Sequence, residues 1–280
     1  MSLQFEGKVA FITGAARGQG RSHAVRFAEE GADIIAIDLC EQIDSVAYSM
    51  ATPEDLNETI NLVEKTGRRI VAERADVRDF KKLQAVVTKG VSELGRVDYV
   101  LANAGILPIV GDQAQEMSAF LDAVDVMLTG VYYTIEAALP ALPALLEHGD
   151  GGAIVITSSI AGLSGARTRF SAKSHGMPGY IAAKHGVVGL MRYYASLLAE
   201  KNIRVNTVHP TGVATPMVVN DQVAQLLADQ PEYAAALENL LPVPLIEPID
   251  MSDAMVYLCG HSGRYITGTT LPVDAGYVVK

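Results

Sequence analysis

The chain has 280 residues, of which 49% are hydrophobic and 19% are charged, and it carries a formal net charge of −10. This composition is typical of a folded globular protein and excludes a disordered or fibrous chain. The negative charge argues against a nucleic-acid partner, because neutralising phosphates requires a clustered basic surface. A single α/β domain over residues 1–280 is ordinary for this length.

Short apolar runs alternate with helical stretches from the first residues onward. The predicted strands are Val9–Thr13, Asp33–Ile37, Arg69–Ala72, Val97–Leu101, Ala153–Thr157 and Ile203–Val208, with a helix over Arg21–Glu30. Apolar, β-branched strands separated by helices indicate a parallel sheet covered on both faces. The sequence therefore predicts a Rossmann-like, doubly wound α/β fold whose ligand crevice lies at the carboxyl ends of the strands.

A glycine-rich turn, TGAARGQG at residues 13–20, joins the first predicted strand to the first helix. Its glycines permit a tight turn and close approach to a pyrophosphate, and the amides at the start of the helix favour an anion. Glycines can serve turn geometry alone, but this position between strand and helix predicts a nucleotide site. The predicted cofactor-binding residues here are Gly14, Arg17, Gly18, Gln19 and Gly20.

Asp38 follows the second predicted strand. A carboxylate there can accept hydrogen bonds from both ribose hydroxyls of NAD and would repel the 2′-phosphate of NADP. Leu39 follows, where an arginine would favour that phosphate. Arg17 is the contrary sign, since it could reach a 2′-phosphate, although it could also be solvated or ion-paired. The predicted cofactor is NAD, with an NADPH-dependent ketone reductase as the alternative.

Two further groups follow the third and fourth predicted strands. Asp76 could meet the adenine amino group with Val77 beneath the ring, and the small residues of Asn103-Ala104-Gly105 would let the backbone pass close to the ribose. Each group could instead be a turn or a capped strand end. Their occurrence at successive strand ends favours the cofactor interpretation.

Hydroxyl, phenol and ammonium groups follow the fifth predicted strand. Ser158 and Ser159 come directly after it, and Tyr180 and Lys184 are one helical turn apart, so both face the same side. Tyrosine, with a pKa of about 10, is a poor base at neutral pH, but a neighbouring ammonium stabilises the phenolate. A tyrosine and a lysine at this spacing are usually only a helix face. Their convergence with serine on a cofactor crevice predicts a catalytic site.

Together these motifs resemble the short-chain dehydrogenase/reductase superfamily over Gly7–Gly276. The matching motifs are TGAARGQG, NAG (103–105), TSSIAG (157–162), YIAAK (180–184) and HPTGVATPM (209–217). The segment 40–53 and the stretch AAKHGVVGLMR resemble the carveol-dehydrogenase-like subfamily linked to mycofactocin. The resemblance implies an NAD-dependent enzyme that interconverts a small, largely apolar secondary alcohol and its ketone, with the NAD recycled in place by an external, mycofactocin-like redox carrier.

The resemblance also implies a role for each matching residue. Ser159 would hydrogen-bond the substrate oxygen, Tyr180 would exchange a proton with it, and Lys184 would lower the pKa of Tyr180 and hold the nicotinamide ribose. The backbone of Val213 and the side chain of Thr215 would secure the carboxamide. The cofactor-binding residues implied after the fifth strand are Tyr180, Lys184, Pro210, Gly212, Val213 and Thr215.

One residue departs from the family pattern. The family places a catalytic asparagine where this chain has Met127, within DVMLTG at residues 125–130. A thioether is only a weak acceptor and cannot support a water-linked proton relay behind the lysine. The departure predicts a slower enzyme, or a relay by another route, and leaves open a catalytically impaired NAD-binding protein.

Three segments exceed a minimal fold of this kind: 40–53, 165–179 and 214–248. The last has apolar helical pieces interrupted by prolines, and we predict a substrate lid there, with surface decoration or subunit contact as alternatives. For the first segment, a lid or wall and surface decoration or subunit contact are equally open. The second is polar and could shape the substrate entrance, contact a subunit or be solvated. Its basic residues are Arg167, Arg169, Lys173 and His175.

Location and assembly are predicted from weaker signals. Residues 1–8 carry no signal sequence, and no apolar run approaches the ~20 residues needed to cross a bilayer. Cys40 and Cys259 form no disulfide framework, and the histidines form no zinc pattern. We expect a cytoplasmic protein without metal, membrane or nucleic acid. The resemblance and the apolar stretches 120–139 and 180–198 predict a homotetramer, although core packing explains the same residues.

Overall fold

The fold is a seven-stranded parallel sheet, seen in a computed structural model that describes residues 3–142, 151–165 and 173–280. The sheet order is β3-β2-β1-β4-β5-β6-β7, with every neighbouring pair parallel. The strands are β1 (Val9–Thr13), β2 (Asp33–Asp38), β3 (Ile70–Arg74), β4 (Tyr99–Ala102), β5 (Gly152–Thr157), β6 (Ile203–Pro210) and β7 (Thr270–Val273). The prediction of a doubly wound α/β fold is confirmed.

The helices of the described residues cover both faces of the sheet. They are α1 (Gly18–Glu29), α2 (Pro53–Lys65), α3 (Phe80–Leu94), α4 (Met117–Val124), α5 (Gly130–Ala138), α6 (Gly176–Leu197), α7 (Asp221–Asp229), α8 (Pro231–Ala236) and α9 (Pro248–Cys259). Helices α1, α2 and α9 pack on one face, and α3 to α6 pack on the other.

Two buried layers explain why the strands read as continuous apolar runs. Successive side chains of a strand point to opposite faces. In β1, Phe11 belongs to the layer beneath α3 to α6, whereas its neighbours Ala10 and Ile12 belong to the layer beneath α1 and α9. Both faces are therefore apolar, as is typical of a parallel sheet covered by helices.

The structure adjusts several predicted boundaries. Helix α1 begins at Gly18, three residues before the predicted start, because the last glycines of the turn already form its first turn. Strand β4 begins at Tyr99, two residues after the predicted start, and the carboxylate of the preceding Asp98 accepts a hydrogen bond from the Val9 amide at 2.9 Å. Strand β7 was not predicted, because it is a short edge strand that contains Pro272 and is only partly buried.

The three additional segments differ in structure. Residues 40–52 form an irregular strap across the strand ends, and residues 214–248 include α7 and α8. The Ala214 amide donates to the Ile246 carbonyl at 2.8 Å and the Ile246 amide donates to the Gly212 carbonyl at 3.0 Å, which ties together the two ends of the segment 214–248. In the segment 165–179, Arg167 and Arg169 lie outside the described residues.

Candidate active site

The crevice opens where β1 and β4 lie side by side and the chain winds away in opposite directions. Gly14 and Gly18 adopt φ values of +67° and +56°, which side chains disfavour. A Cβ atom at Gly14 would lie 2.8 Å from the Ala104 Cα, and one at Gly20 would collide with the Gly14 carbonyl oxygen. The turn can therefore carry only glycine here, and its amides stay open to an anion at the start of α1.

The predicted cofactor residues line two adjoining cavities along this crevice. The first is lined by Gly14, Arg17, Gly18, Gln19, Gly20, Asp38, Leu39, Asp76, Val77, Asn103, Ala104, Gly105 and Thr215. The second is lined by Tyr180, Lys184, Pro210 and Val213, and shares Gln19 and Thr215 with the first. Gly212 lies outside both and instead lines the larger apolar cavity next to them.

Asp38 lies at the edge of the first cavity. Its carboxylate accepts hydrogen bonds from the Ala16 amide at 2.9 Å and the Cys40 amide at 3.2 Å. Burial raises the pKa of Asp38, while these amides and the charge of Arg17 act in the opposite direction. Arg17 donates from Nη2 to the Ser49 carbonyl at 2.7 Å, so its guanidinium is bound to the strap.

Asn103 holds three strand ends together. Its Nδ2 donates to the Thr13 carbonyl at 3.1 Å, and its Oδ1 accepts from the Thr157 hydroxyl at 3.1 Å. The Thr13 hydroxyl in turn accepts from the Asn103 and Ala104 amides, both at 3.1 Å. The Asn103 side chain thus connects β1, β4 and β5 and shapes the floor of the crevice through these bonds.

Asp76 is already engaged by a neighbour. Both of its carboxylate oxygens accept hydrogen bonds from Arg78, with an ion pair of 2.7 Å, and Arg78 also bonds Asp122 at 3.1 Å. The carboxylate lines the first cavity, as predicted for a residue near the adenine. An adenine amino group would therefore meet an Asp76 that Arg78 holds in place.

The strap forms an outer wall of the first cavity, where the sequence left open a wall or surface decoration. Gln42 organises it, because its Nε2 donates to the Val46 carbonyl at 2.7 Å and its Oε1 accepts from the Met50 amide at 3.1 Å. Tyr48 accepts at its hydroxyl from the Leu107 amide at 3.0 Å. The strap residues that line the cavity are Ile43, Tyr48, Met50 and Ala51. In the sequence, the apolar residues within this extended stretch were the signal that could have predicted a buried wall.

Ser159, Tyr180 and Lys184 meet in the second cavity. Lys184 is buried, donates from Nζ to the Thr157 carbonyl at 2.9 Å, and lies 5.7 Å from the centre of the Tyr180 ring. The Ser158 hydroxyl donates to the Lys184 carbonyl at 2.8 Å, which fixes α6 against β5. Of the two serines, Ser159 is therefore the one available to a ligand beside Tyr180.

His209 was not among the predicted site residues, yet it supports Ser159. Its Nδ1 lies 2.7 Å from the Ser159 carbonyl, and its Nε2 lies 2.8 Å from the Thr207 hydroxyl. A carbonyl can only accept, so Nδ1 carries the proton and Nε2 accepts from Thr207. Burial lowers the pKa of His209, in keeping with this neutral ring.

The electrostatics of the Tyr180–Lys184 pair follow from burial. Burial lowers the pKa of Lys184 to about 8 and raises the pKa of Tyr180, whereas a hydrogen bond with Ser159 lowers the latter. A charged Lys184 stabilises the Tyr180 phenolate, and any further positive charge in this cavity would act in the same direction. The pair is thus arranged to move a proton at the Tyr180 oxygen.

The residues present fit a dinucleotide. The Gln19 Oε1 atom is buried and has no hydrogen-bond partner among the described residues, and Gln19 lines both crevice cavities. Such an atom needs a donor, which a bound molecule can supply. The glycine turn beside it leaves no room for side chains. Across residues 3–142, 151–165 and 173–280, by contrast, no cluster of acidic, histidine and cysteine side chains could hold a metal ion.

A family model described as enoyl-(acyl carrier protein) reductase matches residues 14–278. (−)-trans-Carveol dehydrogenase of Rhodococcus erythropolis is 44% identical over 98% of this chain and 99% of its own length. The chain belongs to the short-chain dehydrogenase/reductase family. As a member of that family it is an oxidoreductase, and the predictions of family and enzyme class are confirmed.

Two solved structures of this family resemble the chain closely. Carveol dehydrogenase from Mycobacterium avium in complex with NAD has a TM-score of 0.88 and 46% identity, covering 99% of each chain. A short-chain dehydrogenase from Mycobacterium paratuberculosis bound to NAD has a TM-score of 0.89 and 42% identity, covering 99% of this chain and 100% of that one. Both relatives were therefore crystallised with the predicted cofactor.

Met127, the departure from the family pattern, is fully buried in a π-helical turn, Asp125–Thr129, between α4 and α5. A Cβ atom at Gly105 would lie 3.6 Å from the Met127 Sδ and 3.7 Å from the Lys184 Nζ. Met127 and Lys184 thus approach the same small space. A thioether beside the ammonium offers little hydrogen bonding to a relay water there.

Beyond Ser159 and Tyr180 lies a third cavity of about 790 Å³. The segment 214–248 forms much of its wall. Its apolar lining includes Leu107, Ile109, Ile160, Val223, Leu227 and Leu245. The hydroxyls of the site therefore lie between the glycine-lined crevice and an apolar cavity. Among the described residues, no helix is long and apolar enough to span a membrane.

Proposed function

We propose that the protein is an NAD-dependent alcohol dehydrogenase that interconverts a small, largely apolar secondary alcohol, of terpenoid type, and its ketone. One observation carries the proposal. Ser159 and Tyr180 line both the cavity that adjoins the dinucleotide crevice and the apolar cavity. A hydroxyl-bearing carbon in the apolar cavity can therefore reach the phenol and the nicotinamide position together.

Each residue of the site has a role in this reaction. Tyr180 takes the proton of the alcohol, Ser159 hydrogen-bonds the substrate oxygen, and Lys184 stabilises the phenolate and binds the nicotinamide ribose. Val213 and Thr215 orient the carboxamide, and the Thr215 amide donates to the Val213 carbonyl at 2.7 Å. NAD, when bound, accepts the hydride from the carbinol carbon.

Asp38 and Arg17 support NAD over NADP. The Asp38 carboxylate lines the crevice, where it would repel a 2′-phosphate of a bound NADP, and the Arg17 guanidinium donates to the Ser49 carbonyl. The two NAD complexes of related proteins agree with this choice. Isothermal titration with both dinucleotides tests it, and tighter binding of NADP would favour the alternative of an NADPH-dependent ketone reductase.

Slow release of NAD follows from the strap. The strap is held to Arg17, to Leu107 and, through a 2.7 Å bond from Ser45 to Asp122, to α4. These bonds would slow the release of a dinucleotide bound beneath the strap. We include in the proposal that NAD stays bound through turnover and that an external, mycofactocin-like carrier reoxidises it.

A homotetramer and a cytoplasmic location are further parts of the proposal. Large apolar side chains are exposed along α4 to α6, namely Met117, Leu121, Tyr132, Tyr193 and Leu197. Exposed apolar surface of this extent is typical of a subunit interface. The free thiols of Cys40 and Cys259 suit a reducing compartment. Sedimentation analysis tests the tetramer.

The decisive experiment looks for bound cofactor and for hydride transfer. Mass spectrometry of gently denatured protein should release NAD. Mixing the purified protein with a panel of cyclic secondary alcohols should then convert bound NAD to NADH in a single turnover, and Tyr180→Phe should carry NAD but reduce none. Bound NAD without reduction by any alcohol would instead favour the impaired NAD-binding protein that Met127 suggests.

A further inference from the structure

Next to the apolar cavity lies another cavity, of about 720 Å³, which the proposed reaction does not use. It is bounded by the loop after β4, the start of α6, and the helices α7 and α8. The two cavities adjoin, because the same five residues line both: Ile109, Val110, Met177, Leu226 and Tyr233.

The linings of the two cavities differ in chemistry. The second carries five amide side chains: Gln113, Gln115, Gln222, Gln225 and Gln230. Its charged residues, Asp112, Asp229 and Lys173, nearly balance, and Gln225 donates to Asp229 at 2.8 Å. Amides can both donate and accept, so this lining suits an uncharged hydrogen-bonding group better than an ion.

Tyr233 lies at the boundary between the two cavities. Burial raises its pKa to about 12, so the phenol is neutral at neutral pH. Throughout the described part of the chain, no residue hydrogen-bonds its hydroxyl. A polar group passing from the apolar cavity to the amide-lined one would meet this free hydroxyl first.

The size of the apolar cavity points the same way. Pockets that enclose drug-sized ligands range from about 300 to 1,000 Å³. At about 790 Å³, this cavity lies in the upper part of that range before the amide-lined cavity is added. A ten-carbon alcohol would therefore leave much of the combined space to water.

We propose that the physiological substrate is an elongated amphipathic alcohol. Its carbinol carbon lies at Ser159 and Tyr180, its apolar body fills the 790 Å³ cavity, and an uncharged hydrogen-bonding end passes Tyr233 into the amide-lined cavity. The assignment rests on the proposed function for hydride transfer and adds a second recognition site to it. Small cyclic alcohols then act as partial substrates that occupy only the inner end.

Two matched alcohols test this assignment. Both are cyclohexanols with an alkyl tail of equal length, and one tail ends in a methyl group and the other in a primary amide. We expect the amide-ended alcohol to have a kcat/KM about tenfold higher, mainly through KM, which corresponds to about 1.4 kcal/mol. Tyr233→Phe should reduce this preference several-fold, mainly by raising KM for the amide-ended alcohol. Tyr265→Phe, at a side chain that is 88% exposed, is the control.

A binding measurement separates this proposal from the proposed function. Calorimetric titration of both alcohols into NAD-loaded Tyr180→Phe reports recognition without chemistry, and it should show the same preference for the amide. Equal or tighter binding of the methyl-ended alcohol, unaffected by Tyr233→Phe, would overturn the second recognition site. Lack of turnover with intact amide preference would overturn only the proposed reaction.

Discussion

The nucleotide half and the substrate half of this crevice are built in different ways. The nucleotide half consists mainly of backbone amides, glycines and polar groups at the ends of β1 to β4, with the strap as its outer wall. The substrate half consists of side chains from the loop after β4, from α6 and from the distant segment 214–248. The first half depends on local geometry, whereas the second depends on which segments the fold brings together.

Among these substitutions, Tyr180→Phe should show the largest difference between its effect on catalysis and its effect on NAD binding. Loss of the proton acceptor should lower kcat for alcohol oxidation by about 10³-fold or more, while NAD affinity stays within about twofold. Steady-state kinetics and NAD titration measure the two effects. Tyr193→Phe, on the exposed face of the same helix, should behave like the native protein. A comparable loss of NAD binding in Tyr180→Phe would show that the halves are not separable.

Asp38→Ser should act on the nucleotide half alone. A hydrogen bond to a charged group contributes about 1.5–3 kcal/mol, so NAD affinity should fall by about 10- to 100-fold and discrimination against NADP should decrease. Titration calorimetry measures both dinucleotides. Asp44→Ser, an exposed position in the same strap, is the matched control. Unaltered NAD affinity would remove Asp38 as the selector.

A buried histidine beneath the nucleotide half, His23, should make the free energy of unfolding depend on pH. It is fully buried on α1 with Nδ1 2.8 Å from the Ser252 hydroxyl, and burial lowers its pKa from 6.5 to about 3. Because the folded pKa is below the unfolded value, the neutral ring contributes stability above pH 6.5 that is lost as the pH falls towards 3. Between pH 7 and 5 the native protein should lose about 2 kcal/mol more unfolding free energy than His23→Gln.

Denaturant unfolding at the two pH values measures this difference. His185→Gln, at an exposed histidine of α6, is the control and should keep the native pH dependence. Parallel curves for the native protein and His23→Gln would show that His23 is not the group responsible.

Met127→Asn, at the position where the two halves meet, should have the smallest effect on kcat. An amide beside Lys184 could hold a relay water that a thioether does not, so kcat should rise by a factor of a few. Met127→Leu, which keeps an apolar side chain of similar volume, should leave kcat unchanged. A kcat for Met127→Asn that is unchanged or lower would mean that proton release in this protein does not pass this position.

The amino-acid sequence alone determined the nucleotide half of this protein. Within the β1–α1–β2 unit, positive φ values favour glycine at 14 and 18, the Gly14 carbonyl excludes a side chain at 20, and Asp38 accepts from the Ala16 amide. Such short-range requirements are visible in a linear pattern. The convergence of Tyr180 and Lys184 was predictable for the same reason, since one helical turn places them together.

Only the tertiary structure decided which segments face the glycine turn and the Tyr180–Lys184 pair across the crevice. Gln42 organises a wall over the cofactor crevice, Gly212 lines the apolar cavity, and Tyr233 lies at the boundary with the amide-lined cavity. All three placements depend on packing between segments that are distant in the sequence. Irregular loops have no periodicity that reports their contacts, and apolar side chains look alike whether they fill a core or line a cavity. The substrate half therefore emerges from the folded chain.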